Sequence, residues 1–380
     1  VKKPMLAICI LMVGLWSCQS DEVTPERRAE VAERNTGDIV IGVAWPYSAK
    51  PDLFKEGIEL AKEEINAGGG VLGRQIKLVH RDDKANVAVG KQVAQEFAET
   101  LEMTAVIGHY NSYISLPAAI TYGYYGLLMI TPGSTTAKLT RGGYSNVFRT
   151  IPSDNEIGDQ LAELAAQQGF KRVVIFYQKG QYGIGLANAF ELRAEELGIF
   201  VPDRFDYDSS MRDYDWILDK LELLDFDAIF LAGYSKEAGQ IIAQAREKGI
   251  QAPFLGGDGL DSPDLVEGQP EAVAGTMVLS VFHPDNPQPA VQKFDKVFQD
   301  KYGHLPDAWA AQGYDTLKIL AHAIESAGSS SPQKVADSLK KMRNWQGVTG
   351  NHSFDGYGNV TDKSLVRKIV RNGQLEYWGN

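Results

Sequence analysis

Residues 39–70 read IVIGVAWPYSAKPDLFKEGIELAKEEINAGGG. The run opens on residues 39–44, apolar throughout and rich in β-branched side chains, the pattern of a strand buried on both faces. Leu53, Ile58, Ala61 and Ile65 then recur at helical spacing, and Gly68-Gly69-Gly70 closes that helix with residues that accept a left-handed backbone. A helix with one apolar stripe must pack back onto the strand before it, so the segment reads as the βα unit of a parallel sheet.

The unit repeats along the chain. Strand-like residues 76–79 are followed by Val89, Val93, Phe97 and Leu101 on one helical face, then by Ala105-Val106-Ile107 and by the run 127–130. After Arg149-Thr150-Ile151-Pro152 the alternation restarts, with helical patterns at 161–166 and 186–197 and strand patterns at 173–176 and 228–231. A Pro-rich segment from His283 to Pro289 precedes helical patterns at 291–298 and 316–327. A turn at Asp355-Gly356-Tyr357-Gly358 and a strand at 365–370 close the chain. The expectation is an α/β protein of two Rossmann-like lobes, each a parallel sheet flanked by helices.

The bulk properties agree with a large packed chain. With 380 residues, 44% of them apolar, there is material for two cores. The net charge of −11 repels phosphate backbones, which argues against nucleic acid as a partner. Lys2 and Lys3 precede an uncharged run from 5 to 16, too short as a helix for a bilayer that needs about 30 Å, so residues 1–17 read as a secretory signal. Leu15-Trp16-Ser17-Cys18 resembles the lipobox of bacterial lipoproteins, whose cysteine is acylated; Trp16 departs from the small residue usual there. By that resemblance Cys18 is the lipidation site and the membrane is met only through the lipid. Residues 18–37, polar and mixed in charge, read as a tether with part of it suited to helix. Once Cys9 leaves with the signal, the folded part has no cysteine for a disulfide or a thiolate centre.

Several chemistries find no support. His80, His109, His283, His304, His322 and His352 show no zinc-helix spacing, and neither a nucleophile elbow nor a phosphate loop occurs. The glycines of residues 180–185, GQYGIG, are wrongly spaced for a dinucleotide turn. Asp82-Asp83 reads as a solvated loop or helix cap rather than a cation site. No metal, cofactor or enzymatic function is expected.

Strand ends carry the polar residues that remain. In parallel sheets ligands bind at the carboxyl ends of strands. Residues 108–112, GHYNS, offer a hydroxyl and free N–H groups at a helix start, where an anion binds. Residues 131–136, TPGSTT, add hydroxyls, with Gly133 admitting a ligand close to the backbone. In the second lobe Tyr234 follows one strand and Asp258 another, and these can meet an ammonium through a ring face and a carboxylate. Each alone has a plain structural explanation: Ser112 as a cap, Thr135 and Asp258 as turn residues, Tyr234 as packing. Together they describe a clamp for an α-amino acid.

These segments resemble the branched-chain amino acid (leucine/isoleucine/valine) binding proteins of bacterial ABC transporters, of the type I periplasmic binding fold. The likeness runs from about residue 38 to the end and is best over residues 106–117, over 127–150 (LLMITPGSTTAKLTRGGYSNVFRT), over 177–186 (YQKGQYGIGL) and over 233–249. It implies lobes at 38–151 with 285–350 and at 152–284 with 351–380, joined by three crossovers near 151–153, 282–289 and 350–355. It implies that Ser112, Gly133 and Thr135 hold a carboxylate and that Tyr234 and Asp258 hold an ammonium. Tyr182 and Asp154 would lie at the cleft, Trp309 and Trp45 at the side-chain wall. Asn111 stands where some relatives carry a disulfide. Asp258 replaces the family's usual Glu, one methylene shorter. The implied protein is a monomeric, exported lipoprotein that passes a branched-chain or other hydrophobic amino acid to an ABC permease, or else a binder of a related aliphatic amide or aromatic acid, or a sensor of similar build.

Overall fold

The structure, a computed structural model, describes residues 22–50 and 52–379. The expected signal segment and Cys18 lie outside the described residues.

The chain runs α1 (Pro25–Arg34), β1 (Ile39–Trp45), α2 (Phe54–Ala67), β2 (Ile76–Asp82), α3 (Val87–Glu99), β3 (Met103–Ile107), α4 (Ser112–Tyr124), β4 (Leu128–Thr131), α5 (Lys138–Arg141) and β5 (Val147–Arg149). The five strands form one parallel sheet in the order β2-β1-β3-β4-β5. Side-chain alternation along β1 explains its continuous apolar run. Ile39, Ile41, Val43 and Trp45 face the layer that holds Phe54 and Ile58 of α2, whereas Val40 and Ala44 face Val93, Phe97 and Tyr122 of α3 and α4. Each fully buried Val, Ile or Phe contributes about 1.5–3 kcal/mol, so a strand covered on both faces is held by its own composition.

The second half continues with α6 (Asp154–Gln167), β6 (Val173–Gln178), α7 (Gln181–Glu196), β7 (Arg204–Tyr207), α8 (Asp215–Leu221), β8 (Ala228–Ala232), α9 (Ser235–Glu247), β9 (Phe254–Gly256) and β10 (Met277–Ser280). A capping box between Ser153 and Glu156 starts α6. Next come α10 (Pro289–Tyr302), α11 (Ala308–Ala327), α12 (Pro332–Lys341), β11 (Trp345–Gly347), β12 (Gly350–Phe354), β13 (Val360–Thr361), β14 (Val366–Arg371) and β15 (Gln374–Tyr377). The second sheet has the order β15-β14-β10-β9-β8-β6-β7. It is parallel except for β14 and β15, which pair antiparallel. Strands β11 to β13 form a small third sheet.

Two helix pairs cap these sheets, and each crosses at a glycine. A Cβ on Gly57 of α2 would stand 1.9 Å from the carbonyl oxygen of Ala310 in α11, and one on Gly158 of α6 would stand 2.6 Å from the Cβ of Ala189 in α7. Helix α11 thus belongs against the first sheet although it follows the second in sequence. The chain therefore passes between sheets between β5 and α6, between β10 and α10, and again on the way to β14. At the first and last of these passages the Lys363 ammonium, buried, donates to the carbonyl of Thr150 (2.8 Å), the hydroxyl of Thr349 (2.8 Å) and Nε2 of His352 (2.9 Å). Burial, opposed by Asp315, pushes the Lys363 ammonium down to about 7.

Two expectations are corrected. The stretch read as a tether carries the helix expected in part of it, Pro25–Arg34, but is packed on the first lobe rather than free, with its Arg28 buried. The guanidinium donates to the carbonyls of Ala98, Thr100 (2.8 Å), Leu101 (3.4 Å) and Tyr125 (3.2 Å), near the ends of α3 and α4 where carbonyls lack helical partners, and to that of Met103 (3.0 Å) at the start of β3. Asp83 is no solvated loop residue either. It is fully buried and pairs with Nδ1 of His109 at 2.8 Å, while Nε2 of His109 meets the hydroxyl of Tyr122 at 3.1 Å.

Candidate functional site

The carboxyl ends of β3 and β4 place two loops side by side. Thr131 Oγ1 donates to the carbonyl of His109 at 2.7 Å and accepts the N–H groups of Gly133 and Ser134, which folds residues 131–134 into a tight turn against residues 109–110. Ser134 Oγ adds bonds to the carbonyls of His109 and Tyr110. From below, Arg149 at the end of β5 donates to the carbonyls of Ser134 (3.3 Å), Thr135 (2.7 Å) and Thr136 (2.9 Å). The Thr131–Thr136 loop is therefore held by a buried guanidinium and points its remaining groups at the second lobe.

What remains is polar and unpaired. Thr135 Oγ1, Asn111 Oδ1 and both carboxylate oxygens of Asp154 are buried with no hydrogen bond within the protein. Such groups cost roughly 1–3 kcal/mol each unless a partner arrives. Ser112 lies beside them at the first turn of α4, its hydroxyl accepting only a long bond, 3.4 Å, from the Thr136 N–H. Gly133 has no room for a side chain. A Cβ there would stand 2.7 Å from the Tyr110 ring and 3.2 Å from Cη2 of Trp45.

The second lobe closes over this floor. Tyr182, in the first turn of α7, donates from its hydroxyl to Oδ1 of Asp258 at 3.1 Å and accepts the N–H of Gly259 at 3.0 Å. Tyr234, just before α9, stacks on Tyr182 with centroids 5.3 Å apart. Its hydroxyl accepts Nδ2 of Asn111 across the cleft at 3.2 Å. Lys138 reaches Gln181 at 3.1 Å across the same cleft. The two lobes are thus in contact along their loops. Burial pushes the Asp258 carboxyl up to about 7 against the pull of the Tyr182 hydroxyl. Burial likewise pushes Asp154 up to about 8, with Asp258 adding repulsion.

Aromatic rings form the remaining wall. Trp309, at the start of α11, meets Tyr110 edge-on at 4.9 Å, and Tyr110 meets Trp45 at 5.1 Å. Trp45 is stacked on Phe54 at 3.8 Å, and its Nε1 donates to both oxygens of Asp52, so it forms the back of the wall. The Nε1 of Trp309 has no partner. All ten residues expected at the site, Ser112, Gly133, Thr135, Tyr182, Tyr234, Asp258, Asp154, Trp309, Trp45 and Asn111, lie in this region between the lobes, Trp45 with its polar atom turned away.

Two neighbours escaped the sequence reading. Tyr110 belongs to the strand-end loop at 108–112, yet nothing in its type marks it as the ring that joins Trp45 to Trp309. Lys50 lies with Nζ 4.8 Å from the centroids of both Tyr110 and Trp309, and 3.8 Å from Asp52. It helps line the cleft mouth, a hollow of about 360 Å³ that also includes Tyr113, Gln181 and Lys236. A larger hollow, about 790 Å³, lies between α11, α12 and Trp345. None of the unpaired buried groups lines it, so the cleft is the better candidate.

The family model described as periplasmic binding protein matches residues 39–374. A Leu/Ile/Val-binding protein homolog 2 from Brucella abortus (strain 2308) is 34% identical over 346 residues, covering 89% of this chain and 91% of that protein. A solved ABC transporter substrate-binding protein from Desulfitobacterium hafniense, in complex with Leu, is 42% identical with a TM-score of 0.82, covering 90% of this chain and 100% of that one. A leucine binding protein from Thermotoga maritima MSB8 is 34% identical with a TM-score of 0.84, covering 90% and 98%. The family match begins at residue 39, so α1 lies outside it.

Proposed function

The chain belongs to the periplasmic binding protein family, and from that premise we propose that it captures an α-amino acid with a bulky aliphatic or aromatic side chain between its lobes. The observation that carries this reading is the pairing of opposite chemistries across the cleft. Thr135, Ser112 and the backbone at Gly133 supply donors for a carboxylate on one side. Asp258, with Tyr234 beside it, supplies an acceptor for an ammonium on the other. Trp45, Tyr110 and Trp309 would enclose the side chain. Asp154, unpaired, would take a bond from the ligand directly or through water.

The wider role follows the relatives. The protein is a non-enzymatic, monomeric, exported binding protein that closes on its ligand by hinge motion, as the handling of ligands by periplasmic binding proteins generally requires. Its lobes divide at 38–151 with 285–350 and 152–284 with 351–380. It delivers the ligand to an ABC permease and is held to a membrane through acylated Cys18. A sensor role is the rival, and neighbouring genes for permease and ATPase subunits separate the two.

One observation favours a second ligand class. A carboxyl raised to about 7 is partly protonated at neutral pH, which suits a neutral amide or an aromatic acid. Thermal unfolding of residues 22–380 against the twenty amino acids and their deaminated and amidated analogues decides. Ligand at 100 times its Kd adds about 2.7 kcal/mol, a shift of several degrees. Shifts by a few apolar amino acids, with none by their deaminated acids, support the amino-acid reading; shifts by amides or aromatic acids alone overturn it.

A further inference from the structure

Helix α1 lies outside the family match, and it is not a loose leader. Arg28 locks it to the carbonyls at the ends of α3 and α4. At its other end Glu33 accepts from the Ser329 hydroxyl and pairs with Lys334. The helix begins against Gly126, where a Cβ would stand 2.6 Å from Pro25. Gly126, Thr100 and Met103 all lie at the amino ends of β3 and β4, the pole of the first lobe opposite the ligand loops.

Beside that entry point α4 exposes two large side chains one turn apart, Ile120 (60% exposed) and Tyr124 (70%). Tyr124 lies edge-on to Tyr125, centroids 5.1 Å apart. Residues 19–24 separate Cys18 from α1 and reach at most about 25 Å when extended. Since α1 is fixed to the lobe, an acyl chain on Cys18 keeps this pole within that distance of the bilayer.

We infer that the pole formed by Pro25, Ile120 and Tyr124 is a membrane-resting surface, seated at the lipid headgroups of the bilayer that holds the anchor, with the ligand cleft facing away. The inference rests on the proposed acylation of Cys18. Its driving force is apolar and interfacial, the role in which Tyr and aliphatic residues serve at membrane surfaces, rather than attraction of basic residues. The net charge of −11 makes an electrostatic attachment unfavourable. A comparable exposed pair, Trp216 in α8 and Leu223 just after it, lies on the second lobe and serves as the internal control.

The sequence makes the test direct. With Cys9 removed and Cys18 acylated, a cysteine introduced at Tyr124→Cys, Ile120→Cys or Leu223→Cys is the only free thiol. The lipidated full chain, spin-labelled at each position, is reconstituted in phosphatidylethanolamine–phosphatidylglycerol vesicles, and collision with oxygen and with a water-soluble nickel chelate is compared. The expected result is loss of nickel collision and gain of oxygen collision at 124 and 120 but not at 223, unchanged in high salt. Protein that floats with the vesicles while 124 and 120 stay as water-accessible as 223 overturns the resting surface and leaves the anchor standing. Protein that does not float, with Cys18 found free by mass spectrometry, overturns the anchor and the surface with it.

Discussion

The side-chain amide of Asn111 donates to the hydroxyl of Tyr234 at 3.2 Å, joining the loop after β3 to the loop after β8 across the cleft. One bond thus reports whether the lobes are together. Asn111→Ala and Tyr234→Phe should each weaken ligand binding, and the double variant should lose less than the sum. A coupling of about 0.5–1.5 kcal/mol from titration calorimetry is expected. Additive losses would mean that the pair does not act as a closure contact.

Asp258 is the acceptor proposed for the ligand ammonium. Its replacement in Asp258→Ala leaves that charge unpaired in a buried site, so affinity for an amino acid should fall by about 2–5 kcal/mol. A loss of a few tenths would remove Asp258 from the site.

The same carboxyl sets a pH dependence. Burial raises Asp258 to about 7, so the ligand-free closed form is favoured while the acid is protonated, and that contribution is lost as pH rises from the ordinary carboxylate range through about 7. An ammonium ligand needs the carboxylate and must expel the proton. Amino-acid affinity should therefore weaken by up to about tenfold per pH unit below 7 and level off above it. Calorimetry at pH 6 in two buffers of different ionisation enthalpy should register proton release; none would argue for a neutral ligand.

Arg28 offers a test of stability apart from binding. Arg28→Met leaves its carbonyl partners unpaired and should cost about 3 kcal/mol in denaturant unfolding, with ligand affinity unchanged. A change in affinity would show that α1 reaches the cleft.

The sequence exposed what is local or periodic. The apolar run from Ile39 announced a strand covered on both faces, and the hydroxyl-rich loop at residues 131–136 announced a binding loop because parallel sheets present their carboxyl ends to ligands. Contacts between residues distant in sequence left no such trace. Arg28 finds its partners 70 to 97 residues on, Asp83 pairs with His109 26 residues away, and Lys50 lies over Trp309. A charged residue in a polar stretch looks the same whether it faces water or a row of free carbonyls. Only the packing of α3 and α4 beneath Arg28 distinguishes them.

The grip of Arg28 also decides where a mechanical load would go. A pull on the segment before α1 enters the molecule at the ends of α3 and α4 and is borne along β3 and β4, inside one lobe. It does not cross the passages at Thr150, at His283 or at Thr349 that join the two sheets. A leash attached there can drag or reorient the molecule without prying the cleft open or pressing it shut.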